Sequence, residues 1–395
     1  MKNILFIHNP RRAPFSFGGI ERVTLMLAEW LQTRGFRSYV AAVGFDIPII
    51  PEQLADKVTM ISTPRRKMSD RAYCNFVAES VARFEIDYVI CQGGHLKHMD
   101  LLRRNIPQRV PVIYCNHSQV LWEEVRSAEI FDRKQRSGGV LSSLRRRLLL
   151  SAAHRRSVRR YRKMYDAVDR YVVLCGGYVD ELYGAVGDAR AAQDKCRALY
   201  NPAARPLADT EIALADKRRE VLFVGRLSYP DKRIDRLLEA WSLLGEECAD
   251  WELLVVGDGT ERETLESAVA RKGLRNVRFC GAVSDPSQYF ARASVVCLTS
   301  SYEGWGMVLV EGQRYGAIPV AFGCSAGVRE IVADGGGYVV EPFDVDAYAA
   351  ALRGLMRDDA KRLDAARSAM RKAALYDIDR VGNDWLRLFG ELDRR

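Results

Sequence analysis

Val295-Val-Cys-Leu-Thr-Ser-Ser-Tyr-Glu-Gly-Trp-Gly-Met-Val-Leu-Val-Glu-Gly312 changes character twice within eighteen residues. Val295 to Leu298 is apolar on both faces, the mark of a strand covered on two sides, and a helix is expected from about Met307. Gly304 and Gly306 lie in the connection, where small residues let the backbone approach a ligand. The helix N-terminus behind them presents free N–H groups to an anion. Glu303 precedes this turn and Glu311 follows in the second turn of the helix. A carboxylate is a poor neighbour for phosphate and a good acceptor for paired sugar hydroxyls. The segment therefore suits a ligand that contains both, as a nucleotide sugar does.

On either side of this segment the same strand–loop–helix unit recurs along the chain. Val221–Val224, Leu253–Val256, Val277–Cys280, Ile318–Ala321 and Tyr338–Val340 read as further strands. Ile234, Leu237, Leu238, Trp241 and Leu244 mark a helix face between the first two. Upstream, Ile4–Ile7, Ser38–Val43, Tyr88–Cys91, Val110–Cys115 and Tyr171–Cys175 repeat the pattern, with Ile20, Val23, Leu27, Ala28 and Leu31 on one helix face. Buried runs separated by helices imply parallel sheets. We expect an α/β protein of two doubly wound, Rossmann-like domains facing a central cleft, with ligands at the C-terminal ends of the strands. Tyr200-Asn-Pro-Ala-Ala-Arg-Pro206 breaks the pattern and a polar segment runs on to Glu220. The expected domains are 1–205 and 206–380, with a last helix over 381–395 that packs back on the first domain.

Composition bounds the alternatives. The chain has 395 residues, 48% hydrophobic and 28% charged, which is globular and neither disordered nor repetitive. No run reaches the roughly 18–20 apolar residues of a membrane span, and residues 1–10 lack a signal peptide's apolar stretch. Nine scattered cysteines include no Cys-x-x-Cys pair and lie mostly inside apolar runs. They read as small buried hydrophobes in the reducing cytoplasm.

Phe223-Val-Gly-Arg-Leu-Ser-Tyr-Pro-Asp-Lys232 carries Arg226 and Lys232 out of a strand, and two cations there can neutralise a diphosphate as it departs. With these residues in this order, the chain resembles the retaining glycosyltransferases of family 4, which have the GT-B fold. Glu303 to Glu311 matches their E-x7-E motif. Gly225-Arg-Leu with Lys232, Val256-Gly-Asp-Gly259, Gly281 before Val283, and Gly327-Val-Arg-Glu-Ile-Val332 follow as further landmarks in the same order. Gly18-Gly-Ile-Glu-Arg22 is similar to the family's glycine loop, and Cys115-Asn-His-Ser118 to its histidine-bearing strand end.

The resemblance implies roles for these positions. Gly18, Gly19 and Gly257 would approach the donor by backbone, Arg226 and Lys232 would bind its diphosphate, and Val283 would contact the base. Glu311 would hold the ribose, Glu303 the transferred sugar, and N–H groups over Gly304, Trp305, Gly306, Met307 and Val308 would complete the cradle. His117 would stand beside the sugar. Trp305 replaces the Phe or Leu common in the family, and Asn-His-Ser resembles enzymes that extend lipid-linked oligosaccharides. The implied reaction is retaining transfer of a hexose or N-acetylhexosamine, UDP-linked, without cofactor or metal. A nucleotide-sugar 2-epimerase of the same fold and a basic RNA-binding protein are the competing readings.

Other motifs are weaker. Gly257-Asp-Gly259 fails as a dinucleotide fingerprint because Arg262 stands at the third glycine. Asp344-Val-Asp346 resembles a metal-binding D-x-D string, but its place before a helix suits capping. His8 and His95 lie near strand ends without an assigned role, and His98 and His154 read as exposed. Finally, Arg133–Arg170 holds thirteen Lys/Arg against two acids, a charge of +11, so that the other 357 residues carry −2 of the net +9. Arg145, Arg146, Arg147, Arg155 and Arg156, interleaved with Leu141, Leu144, Leu148 and Leu149, form a basic amphipathic stretch. It suits an anionic membrane or an anionic acceptor. The expected partners are a nucleotide sugar, a glycan or glycolipid acceptor and the inner face of a membrane, and not nucleic acid.

Overall fold

A computed structural model describes residues 1–8, 19–43, 57–63, 68–93, 98–134, 140–187, 195–203 and 214–394. The chain forms two compact units. The first comprises Met1–Leu121, His154–Pro202 and Ile378–Arg395, and the second Trp122–Ala153 and Ala203–Asp377. The boundary expected between 205 and 206 lies outside the described residues.

The first unit holds strands β1 (Lys2–Ile7), β2 (Phe36–Val43), β3 (Thr59–Thr63), β4 (Tyr88–Gln92), β5 (Val112–Cys115), β6 (Arg170–Val173) and β7 (Cys196–Ala198). They pair in the order β3-β2-β1-β4-β5-β6-β7, every neighbour parallel. Around them lie α1 (Gly19–Gln32), α2 (Asp70–Arg83) and α3 (Met99–Asn105). Next in the chain come α4 (Trp122–Lys134), α5 (Val140–Asp166) and α6 (Gly176–Val186). α4 and the start of α5 belong to the second unit by contact.

The second unit's strands are β8 (Arg218–Val224), β9 (Glu252–Val256), β10 (Val277–Gly281), β11 (Ala293–Leu298), β12 (Ile318–Phe322) and β13 (Tyr338–Val340). They are again all parallel, in the order β10-β9-β8-β11-β12-β13. Its helices are α7 (Ile234–Ser242), α8 (Arg262–Arg271), α9 (Ser287–Arg292), α10 (Met307–Arg314), α11 (Ala326–Val332), α12 (Val345–Arg357) and α13 (Asp359–Ala373). α14 (Ile378–Leu392) then returns to the first unit. Each sheet is doubly wound, and its strand order reverses at β1/β4 and at β8/β11, the switch points where such sheets bind ligands.

The continuous apolar runs are the central strands, because helices on both faces bury every position: β4, β11 and β12 are buried throughout. Two strands, β3 and β7, have no counterpart among the sequence expectations. Both are short edge strands, and the Thr59-Met-Ile-Ser-Thr63 pattern of β3 is half polar because one side of an edge is open. The polar segment up to Glu220, expected as linker, is corrected at its end: Arg218–Glu220 opens β8. Glu220 is buried there, with Arg292 2.9 Å from its carboxylate.

α14 covers the first sheet's flank with one apolar face. Phe389 stacks on Tyr88 with ring centres 4.5 Å apart and touches Phe36 at 5.7 Å. Trp30 Nε1 donates to Asp379 over 2.6 Å, and Lys2 pairs with Asp393. Gly382 is small for a reason, since a Cβ there would lie 2.5 Å from the Trp30 indole.

Candidate active site

In the second unit the strand ends are tied together by backbone before any side chain acts. Gly225 N donates to Val256 O and Gly257 N to Gly281 O, at 2.9 and 2.7 Å. A Cβ on Gly257 would fall 1.9 Å from Gly225 O, and its φ is +137°, so only glycine closes this row. Val283 follows, half-buried, in the loop after β10.

Arg226 leaves this row at the end of β8. Its side chain is 77% exposed and pairs with Asp231 at 3.1 Å. Lys232, at the far end of the same loop, donates to Glu303 Oε2 over 2.5 Å, and each side chain is about four-fifths covered. Burial alone would pull the ammonium down. Glu303, with Asp231 behind it, more than offsets that and holds it above the usual lysine value. The two loops are stitched by backbone as well: Ser301 N donates to Asp231 O at 2.8 Å, and Thr299 Oγ1 to Lys232 O at 3.3 Å. Arg226, Lys232 and Glu303 thus share one place, at the β8/β11 switch point.

Glu303 leads through Gly304 and Trp305 into α10. Gly306, with φ +87°, turns the chain into the helix, so Met307 and Val308 stand half-buried in its first turn. Trp305 is buried edge-on against Tyr376, ring centres 5.4 Å apart. Glu311 is buried too, because α10 lies close on the sheet: a Cβ on Gly312 would meet Val296 at 2.5 Å. A carboxylate so covered is not an ordinary surface charge of a helix. Asp344 accepts from Ala347 N at 2.9 Å and caps α12, which accounts for the first acid of the D-x-D string.

In the first unit, His117 follows β5 and shares a 2.6 Å hydrogen bond with Gln92 at the end of β4. Burial, helped by the neighbouring His8, pushes its pKa down to about 4, and burial does the same to His8 after β1. Both rings are therefore neutral at pH 7 and offer hydrogen bonds, not charge. Gly19 is the exposed first residue of α1. Gly18 and His95 lie outside the described residues. Sequence reasoning missed Gln92, Asp231 and, on α4, Glu129. A carboxylate set between Arg226 and Lys232 was the available signal for Asp231, whereas Gln92 and Glu129 carry none.

The basic stretch is one long helix, α5. Arg145, Arg147, Arg155 and Arg156 are exposed, while Arg146 makes a two-pronged pair with Asp132 at 2.9 and 3.1 Å. Leu144, Leu148 and Leu149 are also exposed. The side chain of Leu141 lies outside the description. Helical spacing puts Leu144, Leu148 and Arg155 along one line and Arg145, Leu149 and Arg156 along the next. Farther on the helix turns inward: Tyr161 is fully buried, and Arg162 donates to Val186 O at the end of α6. Among the described residues no helix is long and apolar enough to cross a membrane.

Comparison with known proteins agrees with this architecture. The family model described as glycosyltransferase family 4 matches residues 17–202, and that described as glycosyl transferases group 1 matches residues 205–373. The amylovoran biosynthesis glycosyltransferase AmsD of Erwinia amylovora is 33% identical over 172 residues, 43% of this chain and 48% of that protein. The phosphatidyl-myo-inositol mannosyltransferase of Mycolicibacterium smegmatis is 35% identical over 175 residues, 43% and 45% of the two chains. The chain thus spans about half the length of the curated relatives it matches. A crystal structure of Anabaena HepE with UDP and glucose superposes with a TM-score of 0.73 at 18% identity, covering 99% of this chain and 100% of that one. Two parallel, doubly wound sheets and two family models in tandem over nearly the whole length lead to one assignment: the chain belongs to the family 4 glycosyltransferases, with the GT-B fold.

Proposed function

We propose that the chain transfers a hexose or N-acetylhexosamine from a UDP-linked donor to a lipid-linked or lipopolysaccharide-type glycan, with retention of configuration and without a metal ion. The observation that carries the reading is the Lys232–Glu303 pair beside Arg226 at the switch point, one carboxylate for sugar hydroxyls among two cations for a diphosphate. The acceptor hydroxyl attacks the anomeric carbon on the face from which the diphosphate leaves. The bond from that carbon to the diphosphate oxygen breaks, and the hydroxyl proton passes to the departing phosphate. Arg226, Lys232 and the N–H groups at Met307 stabilise the growing charge, the part that a metal plays in other transferases. Glu311 takes the ribose hydroxyls.

Several relatives support the acceptor class by name: amylovoran biosynthesis, a phosphatidyl-myo-inositol mannosyltransferase, and a lipopolysaccharide 1,6-galactosyltransferase of Salmonella typhimurium. α5 fits such acceptors, with basic and leucine residues exposed together for the anionic inner face of a membrane. The test is a thermal-shift screen against UDP-, GDP- and ADP-sugars, followed by NMR of the product's anomeric configuration. Stabilisation by a UDP-sugar and a retained anomer are expected. An inverted anomer, or epimerisation of the donor without any acceptor, would overturn the assignment.

A further inference from the structure

α4 enters the second unit along a single stripe. Trp122, Arg126, Glu129 and Arg133 fall at i, i+4, i+7 and i+11, one face of a helix. Trp122 lies on Tyr302 with ring centres 5.6 Å apart, and Arg126 stands beside the same tyrosine. Arg133 covers the Tyr229 ring at 4.1 Å and forks onto Glu261 with two 3.2 Å bonds. At the centre of the stripe, the Glu129 carboxylate accepts from Arg233 at 2.6 Å, from Arg236 at 3.1 Å and from the Ser301 hydroxyl at 2.6 Å. Its backbone oxygen takes the Tyr229 hydroxyl at 2.8 Å. Arg236 in turn donates to Ser301 Oγ at 2.9 Å.

This cluster is nearly dry: Glu129, Arg233 and Arg236 are 12, 15 and 11% exposed. Burying two guanidiniums costs desolvation that a solvated surface pair avoids, so the arrangement is poor as a general stabiliser and good at fixing geometry. What it fixes is specific. Arg233 is the residue after Lys232, and Ser301 precedes Glu303 by two, so a single carboxylate holds both loops that carry the candidate pair.

We infer that Glu129 is a positioning residue: α4 clamps the loop after β8 to the loop after β11 and sets the Lys232–Glu303 geometry that sugar transfer uses. The inference rests on the function proposed above. Its test uses the full chain with Glu129→Ala and with Glu129→Gln, which keeps the shape and an acceptor oxygen for Ser301. In Glu129→Ala, kcat per correctly folded molecule should fall between about tenfold and a hundredfold, as loss of alignment does. The dissociation constant for UDP alone should stay within about twofold, and Glu129→Gln should recover part of the rate. A merely structural role would lower the thermal midpoint and the folded fraction and leave kcat per folded molecule untouched. Hydrogen exchange gives a second readout that needs no turnover. Residues 228–236 and 299–305 should exchange faster in Glu129→Ala and not in Glu263→Ala on α8. Wild-type kcat in both Glu129 variants, or unchanged exchange in both loops, overturns the inference. A wild-type chain inert to every nucleotide sugar overturns the proposed function instead, and exchange alone then decides for or against the clamp.

Discussion

Arg226 and Lys232 flank one carboxylate, Asp231, yet differ in setting: the first is open to solvent and the second packed against Glu303. Removing either cation should cost about 2.7–4 kcal/mol of barrier, or roughly 10²–10³ in turnover, if both stabilise a departing diphosphate. Wild-type turnover in Arg226→Ala and in Lys232→Ala would refute the pairing. The two glutamates should separate. Glu311→Ala should weaken donor binding, because the ribose is unchanged by the reaction. Glu303→Gln should lower kcat more, because under the proposed function Glu303 would face the sugar on which charge develops, and the change neutralises the partner of Lys232. Equal losses of donor affinity with unchanged saturating rates would sink this division. His117 makes a prediction about stability. Its pKa is about 4 folded against 6.5 unfolded, so between those values the unfolded chain holds a proton that the folded chain lacks. Stability is therefore complete above pH 6.5 and falls as pH drops towards 4. By pH 5 the loss from this group is about 2 kcal/mol. Urea unfolding at pH 7 and pH 5 should show His117→Gln losing that much less than wild type.

At the scale of elements, legibility followed burial. β4, β11 and β12 are covered on both faces, so their residues are mostly apolar, with Gln92 and Ser294 the polar members of β4 and β11, and mark themselves. β3 and β7 are edges, and an edge strand needs only half a pattern. The loops with Arg226, Lys232 and Glu303 were readable because strand, glycine and charge lie together in sequence. Glu129 was not, because its partners come from a hundred residues away and nothing in α4's own pattern points to them. Helix α5 showed its charge and hid its division: Leu144 and Leu148 face solvent while Tyr161 is core. If its exposed face meets an anionic bilayer at about 1 kcal/mol per cation, replacing Arg145, Arg146, Arg147, Arg155 and Arg156 with Ser should abolish sedimentation with phosphatidylglycerol vesicles. Equal sedimentation by wild type and variant removes the membrane from the proposal and leaves the transferase. Close packing offers a further test. Gly382→Ala forces a methyl into the Trp30 indole and should lower stability by about 1–3 kcal/mol, read as a shifted urea midpoint.

For the molecule as a whole, two doubly wound units were legible because each sheet announces itself by alternating buried runs and helices. Their membership was less so. Chain order assigns α4 to the first half and contact assigns it to the second, since its polar stripe finds its partners there. α14 makes the converse journey, its apolar face completing the sheet that begins at Lys2. That return has a consequence for biosynthesis. A ribosome exposes Trp30, Phe36 and Tyr88 early, yet the helix that covers them is encoded some three hundred codons later. The unit begun first is finished last. During translation the second unit, contiguous from Ala203 to Asp377 apart from α4 and the start of α5, has its strands in hand while the nascent first unit still displays an apolar flank, a surface on which chaperones act.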